Sequence, residues 1–286
     1  MQGGQKGRVA RSWHLLGVSW SFLRGRPALF AFPALSALLV TIAAVTIFTP
    51  VLYATAGDSP KIGMLIAAAA TAIPATLATT FCNVAFVVMV QAHLRGESST
   101  FRDGLRGARS RLAVIVGWSL LTVVIGGILR ALSQIPGGEA IGGVVNWLGG
   151  LAWSLATYFV IPVMVIEEVG VIDGVKRSAS VFKQRWGESI SGELTAGVIF
   201  GLLMIPGMLC LATGWVILDI AAPAVGIVLL LVGVLLTAPL LAMSSAVTQM
   251  FQLVLYRETL EGTPPAQFTT VDTGAAFRRR SSFWRR

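Results

Sequence analysis

The chain has 286 residues, of which 55% are hydrophobic and only 12% charged, whereas a soluble domain carries about 25% charged residues. That balance excludes a disordered chain, a coiled coil and an ordinary soluble enzyme, and leaves a helical integral membrane protein. Two cysteines exclude a disulfide framework or a cysteine-based metal site, and a net charge of +9 makes the placement of charge relative to a bilayer the first question.

A bilayer's hydrocarbon core needs about 20 apolar residues of helix. Six stretches qualify, at 28–53, 62–92, 112–129, 141–166, 194–218 and 220–256, the last opening on a short Ala-Pro segment. The fold class is therefore all-α and polytopic, with a six-span domain over 1–260 and a disordered basic tail over 261–286. The second and sixth stretches exceed a perpendicular crossing and must tilt, kink or protrude. Pro74, Pro206 and Pro239 fall inside spans two, five and six, where kinks are expected. A β-barrel would need alternating segments of roughly ten residues, which the uniformly apolar run 227–236 contradicts. Ala54-Thr55-Ala56 looks like a cleavage site, but the apolar run before it is too long for a signal peptide's core of about 7–15 residues. The first span is expected to be retained.

Six crossings put segments 1–27, 93–111, 167–193 and 257–286 on one side. Every Lys and Arg except Lys61 and Arg130 falls in those segments. Basic residues in short loops stay inside, so both termini are expected on the cytoplasmic side of the membrane. Interface-seeking aromatics agree with this: Tyr53, Trp147 and Trp215 near outer ends, Trp186 and Tyr256 near inner ones.

The inner segments carry helical stripes. Val9, Trp13, Leu16, Trp20 and Leu23 form one; Phe101, Leu105, Ala108 and Leu112 a second; Val171, Val175, Ala179, Phe182 and Trp186 a third. Thr100 and Asp103 make a capping-box-like start to the second. Asp103-Gly104-Leu105-Arg106 recurs as Asp173-Gly174-Val175-Lys176, and Val9, Arg11, Ser12, Leu16 and Trp20 match Val175, Arg177, Ser178, Phe182 and Trp186. The pattern fits three repeats of an amphipathic helix followed by a transmembrane hairpin. The competing explanation is that any helix at an inner interface reads this way.

No span interior carries Asp, Glu, Lys or Arg, which argues against a proton relay or a charged-substrate site. Asn83, Ser245, Gln249 and Gln252, together with Asn146, Ser244 and Thr248, are read either as interhelical hydrogen-bonding groups or as the lining of a cavity. His14 and His93 have no partner at ligand spacing, and no hydrolase or nucleotide-binding motif is present. No metal, cofactor or catalytic residue is expected, although Glu167 or His93 would be the only acid–base groups of an enzymatic alternative. Cys82 and Cys210 read as small hydrophobes. Gly197-x-x-x-Gly201 and Gly138-x-x-x-Gly142 are expected to pack helices within the bundle, the alternative being a dimer face.

Glu167-Glu168 closes span four. It is read as an inner-interface anchor receiving Arg177 or Lys176, with Trp186 beside it; a cation site or a catalytic lip is the alternative. The tail ends in Arg278, Arg279, Arg280, Arg285 and Arg286 with Phe277, Phe283 and Trp284. It is expected to contact anionic lipid headgroups at about 1 kcal/mol per residue, unless it only sets topology. Membrane lipids are thus the expected partners, with a protein partner open and nucleic acid excluded.

Residues 158–170, with Lys176-Arg177-Ser178 and Trp186-Gly187-Glu188, resemble an uncharacterised family of prokaryotic six-helix membrane proteins. The opening Arg11-Ser12-Trp13 through Ser19-Trp20, Leu23 and Phe32-Pro33 is similar to that family's start. The resemblance spans roughly residues 8–260 and omits the basic tail. It extends more distantly to membrane domains attached to glycerophosphodiester phosphodiesterases, whose catalytic barrel has no counterpart here. It implies topology and origin, and no activity. Taken together, the expected function is non-enzymatic action on or within the bilayer, or as a membrane partner; the alternative is a transporter or channel for a neutral or lipid-like substrate.

Overall fold

The computed structural model describes residues 23–55, 60–132, 139–220 and 223–261. Among them every regular element is helical: α1 Pro27–Thr55, α2 Pro60–Leu94, α3 Phe101–Arg109, α4 Leu112–Leu132, α5 Glu139–Ala156, α6 Val160–Ile166, α7 Val171–Ile220 and α8 Pro223–Glu261. Six helical stretches are long and apolar enough to cross a membrane: Pro27–Thr55, Ile62–Leu94, Leu112–Leu132, Trp147–Ile166, Gly197–Ile217 and Ala224–Leu260. These are the six expected spans, with ends shifted by a few residues.

Helix α2 is the hub. It packs against α1, α3, α4, α6 and α8, while α7 and α8 form the most extensive pair. The burial is lopsided. On α2 the residues from Thr80 to Gln91 are mostly buried, whereas Ile62, Met64, Leu65, Ile66 and Ile73 are exposed. On α8 the stretch from Ala246 to Tyr256 is largely buried, whereas Val225, Ile227, Val228, Leu231 and Leu235 are exposed. Phe32, Phe86, Val165, Met250 and Leu253 join in one core, at the end of the bundle where Arg111 meets Glu168 and Arg177 meets Glu167. At the other end the apolar side chains are bare: Tyr53 is 89% exposed and Trp215 70%. In water such surface would drive association; in lipid it carries no penalty, because the hydrocarbon tails are as apolar as leucine.

The helices run unbroken through Pro74, Pro206 and Pro239. The fourth span is the one that breaks, at Thr157–Phe159 between α5 and α6. Pro162 explains it: with no N–H to offer the Tyr158 carbonyl, and a ring that clashes with it, it forces Phe159 out of the helix to φ −102°, ψ 10°. In α1 a π-helical turn at Ala44–Phe48 precedes Pro50, and Thr49 Oγ1 donates to the Ala44 carbonyl at 3.1 Å. Such bulges absorb a missing i to i−4 bond.

The segment 171–186, expected as a separate helix before span five, is instead the first third of a single 50-residue helix. Nothing between Trp186 and Glu193 stops it; neither Gly187 nor Gly192 is followed by proline. Ile220, expected to open span six, ends α7, and α8 starts on Pro223, a residue suited to a helix's first position.

The α7–α8 hairpin closes through glycines. A Cβ on Gly207 would lie 2.5 Å from Thr237 Cγ2 and 3.3 Å from the Gly233 carbonyl; one on Gly214 would lie 3.0 Å from the Gly226 carbonyl. Gly207 faces Gly233 and Gly214 faces Gly226, in one antiparallel register. By contrast, Gly197 and Gly201 face open space. The expected packing role of that pair is therefore corrected: small residues hold the hairpin, but at seven-residue spacing further along. Gly138 lies outside the described residues.

Candidate functional site

Helix α6 ends at Ile166, Glu167 caps it, and Glu168 adopts the left-handed conformation with φ 54°. That costs an L-residue about 1–2 kcal/mol relative to the right-handed helix. The turn sends two adjacent carboxylates to different partners. Glu167 Oε1 accepts from the Tyr256 hydroxyl at 2.5 Å and from Arg177 Nε at 2.9 Å. Glu168 Oε1 accepts from Arg111 Nη2 at 2.8 Å, and Arg111 Nη1 also donates to the Gly107 carbonyl at the end of α3, at 3.1 Å. Five elements (α3, the α3–α4 corner, the α6–α7 corner, α7 and α8) are thereby tied at the packed end.

The expected anchor is present: Arg177 reaches Glu167. Lys176 pairs instead with Asp173 at 3.8 Å. The Arg177 guanidinium is held above its ordinary pKa first by its hydrogen bond to Glu167, with desolvation working the other way. Tyr256 is fully buried and packs beside Phe159. With both donors on one carboxylate oxygen, the arrangement suits an ionic clamp. Arg111 and Tyr256 join the clamp without a local sequence signal, because their partners lie 57 and 89 positions away.

The two Asp-Gly motifs occupy equivalent places. Gly104 and Gly174 are both buried and lie against the preceding span, with a built Cβ falling 2.9 Å from the Ala85 carbonyl and 2.8 Å from Met164 Cγ respectively. Gly104 N–H donates to the Thr100 carbonyl at 3.2 Å and Gly174 N–H to the Gly170 carbonyl at 2.8 Å. Asp103–Arg106 and Asp173–Lys176 are matching i, i+3 pairs. Ala108 and Ser178, which the same offset of 70 residues relates, are both fully buried. Ser178 has acquired a task there: its Oγ accepts the Phe159 N–H, freed by the helix break, at 2.9 Å. The stripe at 9–20, the first member of the proposed repeat, lies outside the described residues.

Helix α3 begins with a complete capping box: Thr100 Oγ1 accepts from Asp103 N–H, and the Asp103 carboxylate accepts from Thr100 N–H. Phe101 stacks on Phe32 at 4.6 Å between centroids, while Arg102, Arg106 and Arg109 stay exposed.

Of the polar span residues, Asn83, Ser245, Gln249 and Gln252 are half-buried. Gln249 Nε2 donates to Ser245 Oγ on the same helix at 2.9 Å, and Gln249 Oε1 is buried without a hydrogen bond. The polar pairs between helices are others: Ser36 with Thr79 at 3.4 Å, and Ser119 with Thr80 at 3.3 Å. A cleft of about 320 Å³ lies elsewhere, lined by Ala152, Leu155, Ala156, Ala179, Phe182 and Lys183. His93 Nδ1 donates to the Met89 carbonyl at 2.8 Å. Among the described residues no three His, Cys, Asp or Glu side chains gather. His14 and Arg278, Arg279, Arg280, Arg285 and Arg286 lie outside the described residues, and Asn146 and Trp186 outside the described side chains.

Six apolar helices packed at one end and bare at the other define a multi-pass helical membrane protein. The model of a family of unknown function, DUF6159, matches residues 72–265, and the chain belongs to that family. The match starts after the first span, so the likeness of residues 11–33 stands apart from it. No curated protein and no solved structure matches the chain.

Proposed function

We propose that the chain is a non-enzymatic protein of a prokaryotic plasma membrane, with both termini in the cytoplasm, that acts on or within the bilayer or as the partner of another membrane protein. One observation carries this reading: among the described residues Arg95, Arg102, Arg106, Arg109, Arg111, Arg177 and Arg257 gather with the Glu167 clamp at the packed end, opposite a bare apolar end. Basic residues flanking spans stay inside, and Arg102, Arg106 and Arg109 would face anionic headgroups from an interfacial α3. The arginines of the tail would add headgroup contacts of about 1 kcal/mol each.

Reporter fusions test the orientation. Fusions at both termini should report cytoplasm, and a fusion within 133–138 should report the opposite side; a C-terminus on the outside would break the reading. Lipid turnover by the purified protein, abolished by Glu167→Gln, would overturn the non-enzymatic part.

A second reading, a passage for a neutral or lipid-like substrate between spans two, four and six, is favoured by the unpartnered Gln249 Oε1. Labelled-lipid movement across vesicles carrying the protein, lost in Gln249→Leu, would establish it; no movement above empty vesicles would remove it.

A further inference from the structure

The cleft between α5 and α7 has an origin in the sequence. Below it the two helical arms are pinned together: Gly174 brings α7 onto Met164, and Ser178 holds the Phe159 N–H at 2.9 Å. Immediately above the latch, the facing positions are Ala152 and Ala156 on α5 and Ala179 on α7. All three side chains stop at Cβ, so among the described side chains the separation set by the latch is left unfilled. Leu155 and Phe182 form the remaining apolar walls, with Phe182 only 8% exposed. The resulting volume, about 320 Å³, is at the lower end of small-molecule sites, roughly 300–1,000 Å³.

A void lined by carbon forfeits dispersion contacts on its open side. For a helix surface in a bilayer, the material at hand to restore them is an acyl chain. Lys183 is also part of the lining; it is exposed and makes no ion pair among the described residues. An ammonium at the rim of an apolar trough complements an amphiphile with an apolar tail and an anionic head.

We propose that this cleft binds one acyl chain of an anionic membrane lipid, with Lys183 against its headgroup. The proposal rests on the reading of the chain as a membrane protein and is independent of which end faces the cytoplasm. One Lys near an anionic headgroup corresponds to a preference of roughly fivefold over a zwitterionic one.

The test uses the full chain in phosphatidylcholine vesicles containing phosphatidylglycerol. Two photoreactive probes carry the same diazirine-bearing acyl chain, one on each headgroup, and adducts are located by mass spectrometry. Adducts of the phosphatidylglycerol probe should concentrate on residues 152–156 and 179–183, well above the exposed stretch 225–235. Ala179→Leu should reduce labelling at the cleft severalfold and leave 225–235 unchanged. Lys183→Glu should remove the roughly fivefold headgroup preference, and Lys183→Arg should retain it. Should Ala179→Leu fail to fold, the Lys183 pair still decides. Labelling at the cleft no higher than at 225–235 would overturn the proposal, as would equal labelling by both probes. A protein that does not float with the vesicles would overturn the membrane reading itself, an outcome distinct from the failure of the cleft alone.

Discussion

Tyr256, near the end of the last span, donates its phenolic hydrogen to Glu167 at the end of the fourth, 89 positions earlier, at 2.5 Å. The same carboxylate oxygen accepts from Arg177, so removing Glu167 disturbs two donors while removing the Tyr256 hydroxyl disturbs one. A hydrogen bond to a charged group contributes about 1.5–3 kcal/mol. The Arg177 side chain is 42% exposed and can turn to water, which discounts its share. Tyr256→Phe should therefore cost about 1–2 kcal/mol, and Glu167→Ala somewhat more, about 2–3 kcal/mol. Because both act on one bond, the double variant should be little worse than Glu167→Ala alone. Thermal unfolding of the purified protein in a single detergent reads all three, and simple additivity would contradict a shared clamp.

The bond from Phe159 N–H to Ser178 Oγ leads to a second expectation. Both residues are fully buried, so Ser178→Ala strands an amide with no water to replace the hydroxyl. The cost of such a buried orphan is about 1–3 kcal/mol. Hydrogen exchange should rise in the peptides covering 157–166 and 171–182 before it rises in the α7–α8 hairpin. Unchanged exchange at Phe159 would show that another acceptor serves it.

What was legible in the sequence follows from the range of the interactions. The spans were legible because bilayer thickness sets helix length and hydropathy marks it. The Arg177–Glu167 pair was legible because its members are ten positions apart across one corner. Arg111–Glu168 was not, since nothing local links residues 57 apart. The left-handed Glu168 was hidden as well, because the residue that normally signals such a turn is glycine. Pro162 broke its helix while Pro74, Pro206 and Pro239 did not. The difference lies in tertiary support: Ser178 stands ready to take the amide released at the break. For the hairpin the sequence does carry a signal. Gly207 with Gly214, and Gly226 with Gly233, recur at seven residues, whereas the four-residue spacing of Gly197 and Gly201 marks an open face.

Helix α3 carries a pH dependence with a definite sign. Hydrogen bonds from Thr100, side chain first and then backbone, hold the Asp103 carboxyl below its ordinary value, with Arg106 adding to them. A depressed carboxyl stabilises above the unfolded-state value of about 3.9 and loses that contribution as pH falls through the lower, folded value. Amide protection in 101–105 should therefore stay level from neutral pH down to about 5 and fall below about 4. Thr100→Ala, which removes the cap acceptor, should cost the helix about 1 kcal/mol. Asp103→Ala should lower protection at neutral pH and flatten the acid limb. An acid limb that persists in Asp103→Ala would assign it to another carboxylate.

The glycines of the α7–α8 hairpin make the sharpest contrast, because two conservative changes on one helix should have opposite signs. A Cβ at Gly214 would sit 2.9 Å from the Leu230 nitrogen and 3.0 Å from the Gly226 carbonyl. Those atoms are backbone and cannot swing aside, so Gly214→Ala must push the two helices apart. Overpacking of this kind costs about 1–3 kcal/mol. At Gly201 nothing lies within 4 Å, and alanine there replaces a flexible residue with a better helix former, a gain of up to about 1 kcal/mol. Gly201→Ala should thus be neutral or stabilising in a thermal melt where Gly214→Ala is destabilising. Equal losses from both would mean that the 197–201 face is covered by something, a second copy or another chain, and that the α7–α8 hairpin is not held by its seven-residue glycine register alone.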